Sequence, residues 1–148
     1  MWTIALAAGA LAFGMAAAVA ADFPQDVSQA LRTASYIYVA TQRADGSRSK
    51  IVPVWFTTLD DAVYFTTAPT SYKAKRIAKG SPVWVWVDSE QGPHFEGKAE
   101  LVHDPALATR MGDAYNRKYW IAWLGLFRPR ADRVQSGKTV IVKITPKG

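Results

Sequence analysis

The residues best suited to chemistry crowd into one stretch, Thr70-Ser71-Tyr72-Lys73-Ala74-Lys75-Arg76, which follows the hydroxyl-bearing pair Thr66-Thr67. A strand beginning at Ala62 runs into this stretch, and a short basic helix starts within it. The first turn of a helix presents backbone N–H groups without intrahelical acceptors and a partial positive charge, a combination that suits a phosphate. Thr66, Thr67, Thr70 and Ser71 add hydroxyls, and Lys73, Lys75 and Arg76 add charge. The same pattern also describes a capped surface helix with solvated lysines, so both readings stand at this point.

Little else in the chain offers a reaction centre. The chain lacks cysteine, which excludes disulfides, thiol catalysis and cysteine-ligated metals. No G-x-S-x-G, G-x-G-x-x-G, H-E-x-x-H or P-loop pattern occurs, so hydrolase, dinucleotide-fold, zinc-protease and NTPase readings have no anchor. His94 and His103 are the two imidazoles. Asp60-Asp61 reads as a turn and Asp104 as a helix cap, not as paired carboxylates. The net charge of +6 and pI near 9.7 favour an anionic partner, whether nucleic acid, anionic lipid or a phosphorylated cofactor.

The elements that must position these residues follow from periodicity and punctuation. In 148 residues, 49% are hydrophobic and 20% charged, a globular composition of one-domain length. Asp26 is placed to cap a short helix whose Val27, Ala30, Leu31 and Ala34 share a face. Strands are expected at Tyr36 to Gln42, Lys50 to Thr58, Ala62 to Thr67, Val83 to Val87, His94 to His103 and Thr139 to Thr145. Ala44-Asp45-Gly46 and Asp60-Asp61 turn the chain, and Gly80 and Pro82 end the basic helix. Asp104-Pro105 opens a further helix that runs to about Tyr119. Six strands joined mostly by short turns, with about three short helices, predict a mainly β, α+β domain built on an antiparallel barrel, closed or partly open. Pro53 cannot donate to a ladder, so its strand is expected at an edge, a bulge or an opening.

Residues 1–21 are set apart. Thr3 to Ala21 carries no charge and is about long enough to span a bilayer. It ends in the small residues that a signal peptidase accepts, without a basic n-region. A signal peptide implies export; an uncleaved segment implies a membrane anchor, and a core-packing helix leaves the chain cytoplasmic. Residues 22–148 form the folded domain in each case.

The blocks Ser49-Lys50-Ile51-Val52-Pro53-Val54-Trp55-Phe56, Ala62-Val63-Tyr64-Phe65-Thr66-Thr67, Ser71-Tyr72-Lys73-Ala74-Lys75-Arg76-Ile77 and Ser81-Pro82-Val83, with the closing Val140 to Pro146, resemble the pyridoxamine 5′-phosphate oxidase-like family of split β-barrels. The resemblance spans about Asp26 to Pro146. It implies a homodimer that binds FMN, or in some branches the deazaflavin F420, at the subunit interface and transfers hydride to or from a small molecule. By the same resemblance Lys73, with Ser71, the adjoining Tyr72 and Lys75, holds the cofactor phosphate. Lys50 is a second phosphate candidate. Thr66 and Thr67 lie near the ribityl chain, and the backbone of Val52, Pro53 and Val54 faces the ring. Haem is the third cofactor that the resemblance implies, with His94 as its axial candidate. The Arg-rich substrate-phosphate apparatus of the pyridoxamine-oxidising members is not matched here as a full set, which argues against that substrate.

Two patterns keep double readings. Tyr119, Trp120, Ile121, Trp123, Leu124, Leu126 and Phe127 suit a dimer interface or core, or a wall over the cofactor ring. Arg128, Arg130 and Arg133 suit solvated charge or an anionic tail. Trp84 and Trp86 share one strand face and Val83, Val85 and Val87 the other, as barrel packing requires. Besides an oxidoreductase, the residues leave open a non-catalytic flavin- or haem-binding protein. An oligonucleotide-binding barrel is disfavoured, because the basic residues do not track a groove.

Overall fold

The computed structural model describes residues 22–119 and 128–147. The apolar run and most of the aromatic stretch, residues 120–127, lie outside the described residues.

Among the described residues, seven strands form one antiparallel sheet. Helix α1 (Gln25–Thr33) leads to β1 (Ile37–Thr41), β2 (Val52–Val54), β3 (Thr57–Leu59) and β4 (Ala62–Thr67). Then come α2 (Tyr72–Ala78), β5 (Pro82–Val87), β6 (His94–Val102), α3 (Pro105–Lys118), α4 (Ala131–Gln135) and β7 (Val140–Pro146). The sheet order is β2-β1-β5-β6-β7-β4-β3. Five of the six expected strands are found where the sequence pattern puts them, but the expected strand Lys50 to Thr58 is two strands, β2 and β3. The fourth helix, α4, has five residues, too few to show a period.

The break explains the architecture. β2 and β3 stand at opposite edges of the sheet, yet only Trp55 and Phe56 separate them. Seven strands laid flat would put those edges about 29 Å apart at ~4.8 Å per strand. Three residue steps reach about 10 Å. The sheet therefore curls until its edges meet, and the chain, not a hydrogen-bond ladder, joins them. This is a split barrel. Pro53 pairs with Tyr38 on the edge strand β2, where a missing N–H costs no ladder bond if it faces away from β1.

The seam left by the split is satisfied by the end of α3. Tyr115 Oη donates to Trp55 O at 2.9 Å, and Lys118 Nζ donates to Phe56 O at 3.1 Å. Phe56 N–H donates to Tyr119 Oη at 3.1 Å, and that hydroxyl lies 2.7 Å from Ser35 O. Phe56 is fully buried, and Trp55 stacks flat on Tyr119 with centroids 4.3 Å apart. Three side chains thus replace the ladder bonds that the split removes.

Inside the barrel, Val83, Val85 and Val87 pack with Val39, Phe56, Phe65, Val142, Ile144 and Leu31. Outside it, α3 and α4 cover β4 and β7 through Met111, Ala108, Val134, Tyr64 and Ile141. That second layer buries β4 on both faces, so Ala62 to Phe65 reads as a continuous apolar run. Trp84 and Trp86 face outward, half-buried, with the Arg48 guanidinium 4.5 Å from the Trp84 ring.

Local details bear out most of the punctuation. Asp60 and Asp61 both have positive φ and link β3 to β4. Asp104 Oδ1 accepts from Ala106 and Leu107 N–H, with Pro105 first in the helix. Gly80, at φ +89°, follows α2 and donates to Ile77 O. Asp26 is not the N-cap of α1: Pro24 occupies that position, and Asp26 sits in the first turn, where its Oδ1 accepts from Val27 N–H at 2.9 Å. Among the described residues, no helix is long and apolar enough to cross a membrane.

Candidate functional site

Between β1, β2 and α2 lies an open cleft of about 440 Å³. β1 contributes Val39 and Thr41, the following hairpin Arg43, Ser49 and Lys50, β2 Val52, and the start of α2 Ser71, Tyr72, Lys73 and Arg76. The hairpin is fixed by the turn at Asp45, whose Oδ1 accepts from both the N–H and the Oγ–H of Ser47. Those bonds hold the Asp45 carboxyl below its usual range, with the Arg43 charge adding to the effect. Ser49 Oγ in turn accepts from Thr41 N–H at 2.9 Å, which anchors the returning strand beside Lys50.

On the helix side, Ser71 is the N-cap of α2. Its Oγ accepts from Ala74 N–H at 3.2 Å and from Thr67 Oγ1 at 3.1 Å, leaving the Ser71 hydroxyl proton free to donate. Among the described residues, neither Tyr72 N–H nor Lys73 N–H has a protein acceptor. At seven residues α2 is a short helix, so most of the positive field comes from side chains. Lys73 is half-buried, and burial lowers its pKa from the ordinary lysine value. Arg76 reaches across to Thr41 Oγ1 at 3.3 Å, and its guanidinium lies 5.3 Å from the exposed Tyr72 ring.

Charge is the distinctive property of this cleft. Arg43, Lys50, Lys73 and Arg76 line it, and no carboxylate does. Among the described residues, ion pairs join Arg110 to Asp60, Arg130 to Asp132, Lys143 to Glu100 and Lys147 to Glu96; none involves a cleft cation. Four positive groups, two unpaired amides and a free hydroxyl proton converge on one space. The donor set fits a phosphate.

The sequence-derived candidates divide among three depressions. Lys50, Val52, Ser71, Tyr72 and Lys73 meet in the first cleft, and Thr67 supports it through Ser71. Lys75 lines an adjoining cleft of about 490 Å³ with Gln42, Arg43, Ala44, Tyr72, Arg76 and Lys79. Val54 and Thr66 line a third, of about 390 Å³, together with Trp55 and Tyr115. Pro53 lies exposed on β2. Sequence reasoning missed Arg43, Thr41 and Ser49. Only the antiparallel return of the hairpin brings them to α2, and a polar pair at a strand end was their one local sign.

The other candidates lie elsewhere. His94 is exposed and stacks on Trp86 with centroids 6.3 Å apart. No group of three or more His, Asp or Glu among the described residues is arranged to hold a metal ion. Arg130 pairs with Asp132, and Arg128 donates to Asn116 Oδ1 at 3.4 Å. Both line a fourth depression beside Asp113, away from the cations of α2.

Comparison with known proteins places this geometry in a family. The family model described as pyridoxamine 5′-phosphate oxidase matches residues 23–148. No curated protein sequence matches. An F420 reductase is similar in structure, with 23% identity and a TM-score of 0.57 over 85% of this chain and 97% of that one. The FAD- and haem-binding protein of Mycobacterium smegmatis has 18% identity and a TM-score of 0.60, covering 82% of this chain and 65% of that one. The haem storage protein HutZ of Vibrio cholerae has 11% identity and a TM-score of 0.59, covering 86% and 92%. The chain belongs to the pyridoxamine 5′-phosphate oxidase family of split barrels.

Proposed function

We propose that this protein is a flavin-dependent oxidoreductase that uses FMN or the deazaflavin F420, works as a homodimer, and transfers hydride to or from a small molecule. The carboxylate-free cleft lined by Arg43, Lys50, Lys73 and Arg76 carries the reading. Unpaired cations around unpaired amides repel one another and gain most from an anion. An F420 reductase and an FAD-binding protein among the structural relatives agree with a flavin-type ligand.

In this reading Lys73, Ser71 and the amides of Tyr72 and Lys73 hold the phosphate, with Lys50 closing on it from the hairpin. Bringing a phosphate to Lys73 offsets the burial that lowers its pKa and secures the charged amine. Thr66 and Thr67 extend the polar path from the phosphate along β4. The exposed edge at Val52 and Pro53 and the cleft at Val54 offer a surface for the ring system. When bound, the isoalloxazine or deazaflavin ring supplies the hydride chemistry, while the protein supplies position and electrostatics. The Trp55, Tyr115 and Tyr119 stack keeps the seam beside Val54 closed, so that this surface is rigid.

The absorption spectrum of the purified protein, followed by titration with FMN and F420, tests the proposal. A flavin or deazaflavin band with NAD(P)H-dependent or substrate-dependent bleaching is the expected result. A colourless protein that takes up neither cofactor would overturn it, and a Soret band alone would select a haem protein instead.

A further inference from the structure

The hairpin after β1 and helix α2 present one continuous basic face. Gln42 N–H donates to Ser81 Oγ at 2.9 Å, and Arg76 donates to Thr41 Oγ1 at 3.3 Å, so the hairpin is tied to the C-terminal half of α2. On this face Arg43, Lys75, Arg76 and Lys79, together with Tyr72, line the cleft of about 490 Å³, and no carboxylate lines it. Asp45, the acidic residue of the hairpin, is turned onto Ser47.

Tyr72 is 75% exposed, more than any other large apolar side chain among the described residues. Lys75 Nζ lies 6.0 Å and the Arg76 guanidinium 5.3 Å from its ring centroid. The other described cation–ring contacts differ. Arg48 lies over Trp84 and Trp86, and Lys118 over Phe56 and Tyr119, rings that the fold itself buries or half-buries. A water-exposed phenol flanked by cations suits a lipid–water interface, where the ring settles at the level of the head groups and the cations meet anionic phosphates. A lone exposed ring offers no series of platforms for successive bases, which disfavours a nucleic acid. The sequence agrees with a lipid partner: only three residues separate α1 from the uncharged run Thr3 to Ala21, which is about long enough to span a bilayer. With that run in the bilayer, even weak surface contacts of the folded body gain from its confinement.

We propose that the face formed by Tyr72, Arg43, Lys75, Arg76 and Lys79 is a docking surface for an anionic lipid bilayer, with Tyr72 seated among the head groups. Docking leaves Lys50, Ser71 and Lys73 of the first cleft to the cofactor, and it does not depend on the flavin reading. Each cation close to an anionic surface strengthens binding about fivefold, and salt weakens the attraction.

Amine acetylation of the full chain, read residue by residue by mass spectrometry, tests this surface in the absence of any flavin. Vesicles of phosphatidylcholine mixed with phosphatidylglycerol should protect Lys75 and Lys79 severalfold, while Lys118 and Lys147, outside both clefts, keep their reactivity. Neutral phosphatidylcholine vesicles should give no such protection, even where residues 1–21 hold the chain on them. Lys79→Ala should raise the anionic lipid needed to half-protect Lys75 about fivefold. Tyr72→Ala, which keeps every charge, should raise it severalfold as well. Unchanged labelling of Lys75 and Lys79, equal protection by neutral vesicles, or no effect of Tyr72→Ala would overturn the proposal. Equal protection by soluble polyglutamate would also overturn it, and would assign the face to an acidic protein instead.

Discussion

Two lysines in this barrel have their pKa lowered by burial, and they sit in opposite circumstances. Lys118 lies in the seam, its Nζ 3.2 Å from the Phe56 ring centroid and hydrogen-bonded to Phe56 O. Lys73 lies in the basic cleft with no ion pair and no hydrogen bond from its ammonium. Around Lys118 every polar group has a partner: Trp55 O has Tyr115, and Phe56 N–H has Tyr119. Around Lys73 the cations Arg43, Lys50 and Arg76 gather with no carboxylate among them, and the Tyr72 and Lys73 amides have no protein acceptor. A completed hydrogen-bond set marks the region that holds the fold, and the incomplete one marks the region to which the proposed phosphate is assigned.

The comparison is easiest to break at the seam. Phe56→Ala removes a fully buried ring between β2 and β3, and denaturant unfolding should show a loss of about 3–5 kcal/mol. A loss under about 1 kcal/mol would mean that the seam is not a keystone of the barrel. Tyr119→Phe leaves the buried Phe56 N–H without an acceptor, and should lower stability by about 1–3 kcal/mol in the same assay. Lys73→Met should do the reverse on a smaller scale in the ligand-free protein. It removes an uncompensated cation from a half-buried site, so the melting temperature should hold or rise; a clear fall would assign Lys73 to the fold.

The pH dependence of Lys118 sharpens the contrast. Burial lowers its pKa from 10.5 to about 8, although much of the side chain is exposed, because the ammonium itself sits over the Phe56 ring. Between about pH 8 and 10.5 the unfolded chain binds a proton there that the folded chain has released. Stability from this group therefore rises with pH across that window, and below it the charged amine bears its desolvation cost in full. Tyr119, raised to about 12 by burial, acts oppositely above its unfolded value of 10.0, since the folded state then holds the extra proton. Wild type should gain on Lys118→Met in melting temperature from pH 8 to 10. A constant difference would show that the amine is as well solvated as in the unfolded chain. The smallest effect belongs to the exposed Arg110–Asp60 pair, where Asp60→Asn should cost under about 1 kcal/mol.

Much of the fold was legible because each local signal had one physical cause. The alternation in Val83 to Val87 follows the inner and outer faces of β5, and Asp104-Pro105 started α3 where the pattern placed it. The division of Lys50 to Thr58 was not legible. Residues before and after Trp55-Phe56 are equally extended, and the two strands differ only in their partners: β1 for β2, and β4 for β3. Those partners are long-range facts. The candidate site shows the same limit. Ser71 and Lys73 announce themselves at a helix start, whereas Arg43 and Ser49 join them only after the hairpin folds back on β1. Residues 120–127 of the aromatic stretch lie outside the described residues, and Tyr119, its first residue, belongs to the seam.

The central claim is that the incompletely bonded cleft holds a cofactor phosphate. Its most direct test is the binding of FMN and of riboflavin, which differ by that group, to wild type and to Lys73→Ala. The account predicts that wild type prefers FMN and that Lys73→Ala loses FMN affinity while riboflavin affinity stays the same. Equal losses for both ligands, or no preference for FMN in the wild type, would contradict it.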